Sequence, residues 1–370
     1  MKLNLFFYSI VLSCSIGCSS SDDVTEVPVI NPETTMFIGG YKKYYAIDAE
    51  KGRLKWDFTV DNGNFQYSTA FISNNVLYVG CTDKNLYALD IKNGKLLWKY
   101  QANEAIESSV FVSNNTVFFG SDDDNFYALN ATTGQLKWKY TAGFNVSSSP
   151  IVSGEIVYFA SDDGYIYALN QNDGSLKWKY SVGRFFNSSS AAIVQNSLYI
   201  GNRNGNLYKL DKFTGKLIWK KQLESSLEYS SPTVLDGYVY TTDSNNLYKI
   251  DELTGDIVWK SYNPGGYSSS PFVNENYITV NSSPGDIIVV DKQTGITKWQ
   301  RTIYSNSAEA VSTDNTVFVG GGGSSFVYAF NENNGTEKWK YPVNSTTTSA
   351  PVIINKKGDV VYPSKSGGRN

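Results

Sequence analysis

The sequence predicts an all-β fold, an eight-bladed β-propeller made of four-stranded antiparallel blades. A repeat of 40 to 42 residues runs through most of the 370-residue chain. Aromatic residues make up 15% of the chain, and together with frequent β-branched residues they favour half-buried strands over helices. No long apolar stripe with the helical period is present, so the pattern predicts no amphipathic helix.

The repeat is defined by its eight tryptophans, which all fall in one register. A glycine lies four residues before each tryptophan, and an Asp or Asn lies four residues before each glycine. In a hairpin turn of this kind, the Asp or Asn bonds the nearby backbone and the glycine adopts a positive φ. The pattern therefore predicts a turn between two antiparallel strands, the second of which carries the tryptophan. The structural tryptophans are Trp56, Trp98, Trp138, Trp178, Trp219, Trp259, Trp299 and Trp339.

Four strands are predicted in each repeat. An alternating strand such as residues 165–169 precedes the turn, and a strand such as residues 136–140 follows it. Two further strands come first, a Ser-rich one such as residues 148–152 and an apolar one such as residues 156–160. Four strands in about forty residues make one propeller blade, and small Ser residues are expected where the first strands converge on the axis.

The two ends of the chain predict how the ring closes. The first repeat begins midway, at residues 36–38, and lacks the Ser-rich strand. Residues 349–354 have the pattern of that missing strand, so we expect the N- and C-terminal segments to pair in one blade and hide the sheet edges. Residues 360–362 duplicate the strand at residues 36–38, so one of the two must be displaced.

Some polar segments resemble ligand sites. The acidic segments 122–124 and 162–164 could be taken for calcium loops, but they recur with the blade period and therefore predict hairpin turns. Residues 320–323 are all glycine, yet no helix or Lys-Ser/Thr pair follows them. A turn is predicted there rather than a phosphate cradle.

The repeat is similar to the quinoprotein-type, or PQQ-like, β-propeller repeat of the PQQ-dependent dehydrogenases and the BamB-type outer-membrane lipoproteins. The resemblance covers residues 36–362 and rests on eight copies in register. It implies a propeller in which the tryptophan of each blade docks against a neighbouring blade.

The N-terminus predicts a lipoprotein leader. Residues 1–17 have a basic start, an apolar run and small residues before Cys18, which resembles the lipobox of bacterial lipoproteins. Cys18 is the expected lipidation site, although Ser15 departs from the usual lipobox Leu and leaves Cys14 as a second candidate. Residues 18–34 are predicted to be a flexible tether and residues 35–370 the propeller.

This leader predicts a lipid anchor in a bacterial outer membrane, with the domain facing the periplasm or the cell surface. The acidic pair Asp22-Asp23 resembles the signal that exports many Bacteroidetes lipoproteins to the outer face. Ordinary linker solubility explains the same residues equally well.

Composition argues against catalysis. The chain has no His, which removes the commonest general base and transition-metal ligand. Cys81 is the one cysteine outside the leader, so the domain lacks the adjacent cysteines on which the large PQQ alcohol dehydrogenases stack their quinone. We expect no catalytic residue, no metal site and no cofactor, and the net charge of −3 gives no reason to expect nucleic acid.

The loops that connect each tryptophan strand to the next blade differ most between repeats. Exposed aromatics with Arg are typical of binding hot spots, so these loops predict a binding face, although packing between blades explains the aromatics as well. The candidate residues are Phe65, Tyr67, Phe144, Arg184, Phe185, Phe186, Tyr229, Tyr267 and Tyr304.

The leading functional hypothesis is a non-catalytic scaffold lipoprotein that binds a protein partner, a barrel-assembly component being suspected from the resemblance. The alternative is a surface lipoprotein that binds glycan through its aromatic rim. A PQQ-dependent dehydrogenase is the least favoured hypothesis.

Overall fold

The structure, a computed structural model, describes residues 33–183, 189–227, 230–283, 285–304, 309–343, 347 and 349–363. All regular secondary structure in these residues is β, and it forms eight antiparallel sheets. No helix in this part of the chain is long and apolar enough to cross a membrane. The predicted eight-bladed β-propeller is confirmed.

Seven blades contain four strands each, in sequence order from the axis outward. The strands of blades 2 to 4 are β4 (Phe71–Ser73), β5 (Val76–Gly80), β6 (Asn85–Asp90), β7 (Leu96–Gln101); β8 (Phe111–Ser113), β9 (Thr116–Gly120), β10 (Asn125–Asn130), β11 (Leu136–Thr141); β12 (Ile151–Ser153), β13 (Ile156–Ser161), β14 (Tyr165–Asn170), β15 (Leu176–Ser181). Those of blades 5 and 6 are β16 (Ala192–Val194), β17 (Ser197–Gly201), β18 (Asn206–Asp211), β19 (Leu217–Gln222); β20 (Thr233–Leu235), β21 (Tyr238–Thr242), β22 (Asn246–Asp251), β23 (Ile257–Tyr262). Those of blades 7 and 8 are β24 (Phe272–Val273), β25 (Tyr277–Ser282), β26 (Asp286–Asp291), β27 (Thr297–Thr302); β28 (Val311–Thr313), β29 (Thr316–Gly321), β30 (Phe326–Asn331), β31 (Glu337–Pro342).

Blade 1 is built from both ends of the chain. Its strands are β1 (Thr35–Gly39), β2 (Tyr41–Asp48), β3 (Leu54–Asn64), β32 (Val352–Ile354) and β33 (Val360–Val361), in the order β3-β2-β1-β32-β33. β32 pairs with β1 as the missing first strand, so the predicted closure is confirmed. β33 is the displaced duplicate, and it adds a fifth strand on the axial side of β32.

The strand order gives the propeller two distinct faces. One face carries the turns between first and second strands and between third and fourth strands, and we call it the lower face. The upper face carries the turns between second and third strands and the loops that run from one blade to the next.

The turn before each tryptophan has the predicted chemistry. In blade 2, Asp90 Oδ1 accepts hydrogen bonds from the amides of Lys92 at 2.9 Å and Asn93 at 3.2 Å. Gly94 has φ +71° and its amide donates to Asp90 O at 2.8 Å. A β-bulge in the β6–β7 pairing follows from the extra turn residue.

The same glycine is also the docking surface for the tryptophan of the preceding blade. A Cβ on Gly134 would lie 2.6 Å from Cε3 of Trp98, so only glycine leaves room for the indole. Trp98 Nε1 in turn donates to Ala131 O at 3.0 Å, in the turn that contains Gly134. All eight repeat glycines meet a tryptophan in this way. Within the described residues, seven of the indoles make the equivalent hydrogen bond and Trp259 does not.

Two rings of serines hold the inner strands together. Ser108 Oγ accepts from the Gly120 amide at 2.8 Å and so ties the start of blade 3 to its second strand. Ser109 Oγ instead links neighbouring blades, because it accepts from the Thr69 amide at 3.1 Å. The same bond repeats from blade to blade through Ser149, Ser190, Ser231 and Ser270. The Ser clusters are therefore part of the framework.

The C-terminal strand packs beside the axis. The ring of Tyr362 stacks on Phe71 with centroids 5.0 Å apart. Its hydroxyl accepts from the Ile72 amide at 3.0 Å and donates to Ile72 O at 3.2 Å. These contacts tie the end of the chain to blade 2 as well as to blade 1.

Candidate binding face

The upper face is formed by loops that fold back over the blade they have just left. An apolar loop residue packs against the end of that blade's second strand, as Ile106 does against Gly80 and Val146 against Gly120. The Ile106 amide also donates to Cys81 O at 3.2 Å, which anchors the loop backbone. Phe65 and Leu227 pack in the same way against Gly39 and Gly201, whereas the polar residue Thr347 takes this place against Gly320.

This packing corrects two of the candidate residues. Phe65 is fully buried and covers Gly39, and Tyr267 is 8% exposed and forms a bridge with Ser282. Neither lies on an exposed face. The sequence did contain the signal, since Phe65 follows Gly39 by 26 residues, the same spacing that separates Gly80 from Ile106.

Three candidates do lie on the upper surface: Tyr67, Phe144 and Tyr304 are 56%, 55% and 64% exposed. They belong to the loops after blades 1, 3 and 7, so they are spread around the ring. Tyr41 and Tyr262 are also exposed at this face and were not among the expected residues. Cys18, Arg184, Phe185, Phe186 and Tyr229 lie outside the described residues.

The acidic turns of the upper face form part of the blade framework. Asp123 accepts hydrogen bonds from the Tyr127 hydroxyl at 2.7 Å and from the Asn103 amide at 3.0 Å. Burial alone would raise the pKa of Asp123, but these bonds hold it below its usual value. The same Tyr-to-Asp bond occurs at Asp83, Asp163 and Asp243. In each of these four blades the tyrosine lies three residues before the Asp or Asn of the lower turn, so it links the third strand to the upper turn.

Other acids at the blade 2 to blade 4 loops lie close together without this role. We call Glu104, Glu107, Asp122 and Asp162 the acid group. Burial and the charge of Asp122 raise the pKa of Asp162 to about 6. Burial, together with neighbouring carboxylates, also raises the pKa of Glu107 and Asp122. The folded structure therefore holds negative charge here at a cost.

Phe144 lies directly beside this group. Its carbonyl accepts from Ser161 Oγ at 2.8 Å, and the next carbonyl, that of Asn145, accepts from the Asp162 amide at 2.9 Å. The backbone under Phe144 is thereby fixed while the ring is exposed. An anchored aromatic beside a charged group is a typical protein-binding arrangement.

Two features of the described residues bear on quinone and metal binding. These residues contain no group of three or more acidic or cysteine side chains able to hold a metal ion. Cys81 is fully buried, and burial raises the pKa of its thiol. It is the one cysteine in this part of the chain, so it offers no adjacent pair on which a quinone could stack.

A cavity of about 220 Å³ lies on the lower face, between blades 8 and 1. Thr34, Glu50, Lys338 and Lys356 are among its lining residues. Lys356 is paired with Glu50 at 2.8 Å. The cavity is on the opposite face from the exposed aromatics and does not belong to the candidate binding face.

Known proteins support the fold and identify the family. The family model described as "Beta-alanine-activating enzyme, beta-propeller" matches residues 19–301. No curated protein matches the chain. BamB from Moraxella catarrhalis has a TM-score of 0.69 at 20% identity, covering 80% of this chain and 93% of its own. The computationally designed Ika8 protein has a TM-score of 0.69 at 16% identity, covering 80% of this chain and 95% of its own.

An enzyme has the same architecture. Quinohemoprotein alcohol dehydrogenase from Comamonas testosteroni has a TM-score of 0.64 at 14% identity, covering 77% of this chain and 69% of its own. At these identities the solved structures show a shared fold alone. The family model and the eight docked blades together identify the chain as a member of the PQQ-like β-propeller family, by the model of the beta-alanine-activating enzyme propeller.

Proposed function

We propose that this protein is a non-catalytic scaffold, anchored to a bacterial outer membrane by a lipid on Cys18, that binds a protein partner through its upper face. The partner we propose is a barrel-assembly component, because the fold is shared with BamB. The anchor is supported by the lipobox-like leader.

The observation that carries this proposal is the exposed ring of Phe144 beside the acid group. The ring of Phe144 is exposed, and the Asp162 carboxylate accepts one long hydrogen bond, from Ser147 Oγ at 3.5 Å. Burial raises the pKa of both Glu107 and Asp162. A Lys or Arg from a partner would relieve the repulsion among these carboxylates, while Phe144 would supply apolar contact area. We therefore expect a partner surface that is basic around an apolar pocket.

Site-specific photocrosslinking in native membranes tests this proposal. The full-length chain carries benzoylphenylalanine at position 144, or at position 132 on the lower face of blade 3 as the matched control. We expect a barrel-assembly protein to be crosslinked from position 144 and not from position 132. The yield should fall with rising salt and in the Glu107→Gln, Asp162→Asn double variant, because both weaken the attraction. Equal adducts at both positions, or none, would contradict the proposal.

A second candidate function, glycan binding, is favoured by the exposed rings of Tyr67 and Tyr304. Affinity electrophoresis in polysaccharide gels separates it from the first. Retardation that is lost with Tyr67→Ala, together with no protein crosslink at position 144, would establish glycan binding instead.

Absence of catalysis is also part of the proposal. Reconstitution with PQQ and Ca²⁺, followed by dye reduction with alcohols and sugars, is the direct test. We expect no turnover, and measurable turnover would replace the scaffold proposal with an oxidoreductase.

A further inference from the structure

The lower face carries an apolar patch on blades 5 and 6. Phe213 and Leu253 lie two residues after the turn Asp of their blades and are 54% and 79% exposed. The fourth strands that follow also begin with exposed apolar side chains, as does the fourth strand of blade 2 at Leu96 and Leu97, so Phe213 and Leu253 are what sets blades 5 and 6 apart. The lower patch consists of Phe213, Leu217, Ile218, Leu253, Ile257 and Val258.

The turn itself does not require apolar residues at the tip. The other six blades have polar, exposed side chains at the same position, namely Glu50, Lys92, Thr132, Asn172, Gln293 and Asn333. All eight turns nevertheless have a glycine docked under a tryptophan. Phe213 and Leu253 are therefore departures from the repeat that the turn does not explain, and they lie at the same position of two neighbouring blades. Large apolar side chains exposed on one face mark contact surfaces.

The chain enters the domain at this same face. The Ala49 amide, in the lower turn of blade 1, donates to Thr34 O at 3.3 Å, and Lys55 Nζ pairs with Glu33 Oε2 at 3.1 Å. Cys18 precedes Glu33 by 15 residues, so a lipid on it lies at most about 54 Å along the chain from the lower face. A lipid on Cys18 would therefore be attached to the domain through its lower face.

The anchor point and the lower patch lie on opposite sides of the ring. Blade 5 is four blades away from blade 1 in either direction around the eight blades. An acyl anchor attached at blade 1 and an apolar contact at blades 5 and 6 would give the ring two separate supports on one surface. Anchoring by two signals is much firmer than anchoring by one.

We propose that the lower patch inserts into the bilayer interface, so that the lower face lies on the membrane and the upper face points away from it. The contact rests on the lipid anchor of the proposed function. Its occupant is the lipid surface, and Phe213 and Leu253 are the side chains that enter it. The upper face with Phe144 is thereby left accessible to a partner.

Fluorescence of a labelled cysteine tests the contact in the full-length lipidated chain. Leu253→Cys carries bimane, and Tyr67→Cys on the upper face is the control. Cys81 is buried and Cys18 is acylated in the lipidated form, so the introduced thiol is the one labelled. The protein is reconstituted in phosphatidylethanolamine and phosphatidylglycerol vesicles, and quenching by aqueous iodide is compared with quenching by lipid-bound nitroxide.

We expect the probe at position 253 to be quenched by the nitroxide and protected from iodide, and the probe at position 67 to show the reverse. A vesicle-bound protein with both probes open to iodide would overturn the lower-face contact and leave the anchor intact. A protein that does not float with the vesicles would overturn the anchor and the contact together. Protection at position 253 in native membranes alone would assign the patch to a protein and overturn the lipid contact.

An unlipidated chain with Cys14→Ala and Cys18→Ala gives a second measure. It should partition into the same vesicles weakly, and Phe213→Ser with Leu253→Ser should reduce that partitioning by about ten-fold or more for each side chain. The matched substitution of the polar tip, Thr132→Ser, should leave it unchanged. Equal partitioning of all three chains would overturn the proposal.

Discussion

Trp339 Nε1 donates a hydrogen bond to Ala49 O at 2.9 Å, and this bond joins the last blade to the first across 290 residues of sequence. The same indole lies against Gly52, where a Cβ would come within 2.7 Å of Cδ2. Ring closure therefore has two parts, the β1–β32 pairing inside blade 1 and the indole docking between blades 8 and 1. Both bring together segments that are remote in sequence, so both form only when the ring is complete.

Trp339→Phe removes this hydrogen bond and leaves the Ala49 carbonyl without its donor. Trp259→Phe is the matched control, because Trp259 Nε1 is buried without a partner while its ring packs on Gly295 in the same way. We expect Trp339→Phe to lower the free energy of unfolding by about 1 to 2 kcal/mol more than Trp259→Phe. Urea titration followed by circular dichroism measures the difference, and equal losses would show that the hydrogen bond contributes nothing.

Two variants, Gly134→Ala and Gly154→Ala, separate the two reasons why the repeat position needs glycine: its positive φ and its contact with a tryptophan. Gly134 has φ +72° and contacts Trp98, whereas Gly154 has φ +61° and nothing within 4 Å of its Cβ position. Gly154→Ala should cost about 1 to 2 kcal/mol from the backbone conformation alone. Gly134→Ala should cost about 1 to 3 kcal/mol more, since the indole must move. Thermal melts of both variants test this, and similar midpoints would mean that the blades relax freely.

Tyr362 should stabilise the junction of the C-terminal strand with blade 2. Tyr362→Ala removes its stacking on Phe71 and its bonds to Ile72, and we expect a loss of about 3 kcal/mol. Tyr304→Ala, at an exposed ring, should change stability by less than about 0.5 kcal/mol. Hydrogen exchange of the Ile72 amide should accelerate in Tyr362→Phe, and unchanged exchange would refute the assigned bond.

Asp162 should make the protein less stable at neutral pH. Its folded pKa of about 6 lies above the value of 3.8 for an unperturbed Asp, so the folded state binds the proton more tightly between these values. Stability therefore falls as pH rises through this window, and the loss is complete above it. Asp162→Asn should raise the melting temperature above pH 7 and have little effect near pH 4.

Asp173→Asn is a control that should change the stability at neutral pH in the opposite direction. Hydrogen bonds from the hydroxyl and amide of Ser175 lower the pKa of this exposed carboxyl, so its charged form supports folding. The variant should be slightly less stable at neutral pH. If Asp162→Asn also lowers the melting temperature, the carboxylate makes contacts that outweigh its burial.

The blade architecture was predictable because its determinants recur locally. The turn at Asp90 and Gly94 and the docking of Trp98 depend on residues at constant spacing, and eight copies make such a pattern unmistakable. The candidate face was less predictable. Phe65 and Phe144 are both loop aromatics, yet Phe65 is buried and Phe144 is exposed. The spacing of 26 residues from Gly39 distinguishes Phe65, but the structure was needed to show what that spacing means. Whether a loop aromatic is buried depends on whether it is the residue that packs against the end of the second strand.

The sequence by itself determined the number of blades, the turn in each blade and the pairing of the chain ends, because tryptophan, glycine and turn acid act through short-range geometry that repeats. The tertiary structure decided where β33 lies, which loop aromatics face solvent, and that the acid group and Phe144 are neighbours. These features arise from contacts between segments that are separated in the sequence and meet only when the strands pair into blades and neighbouring blades pack together.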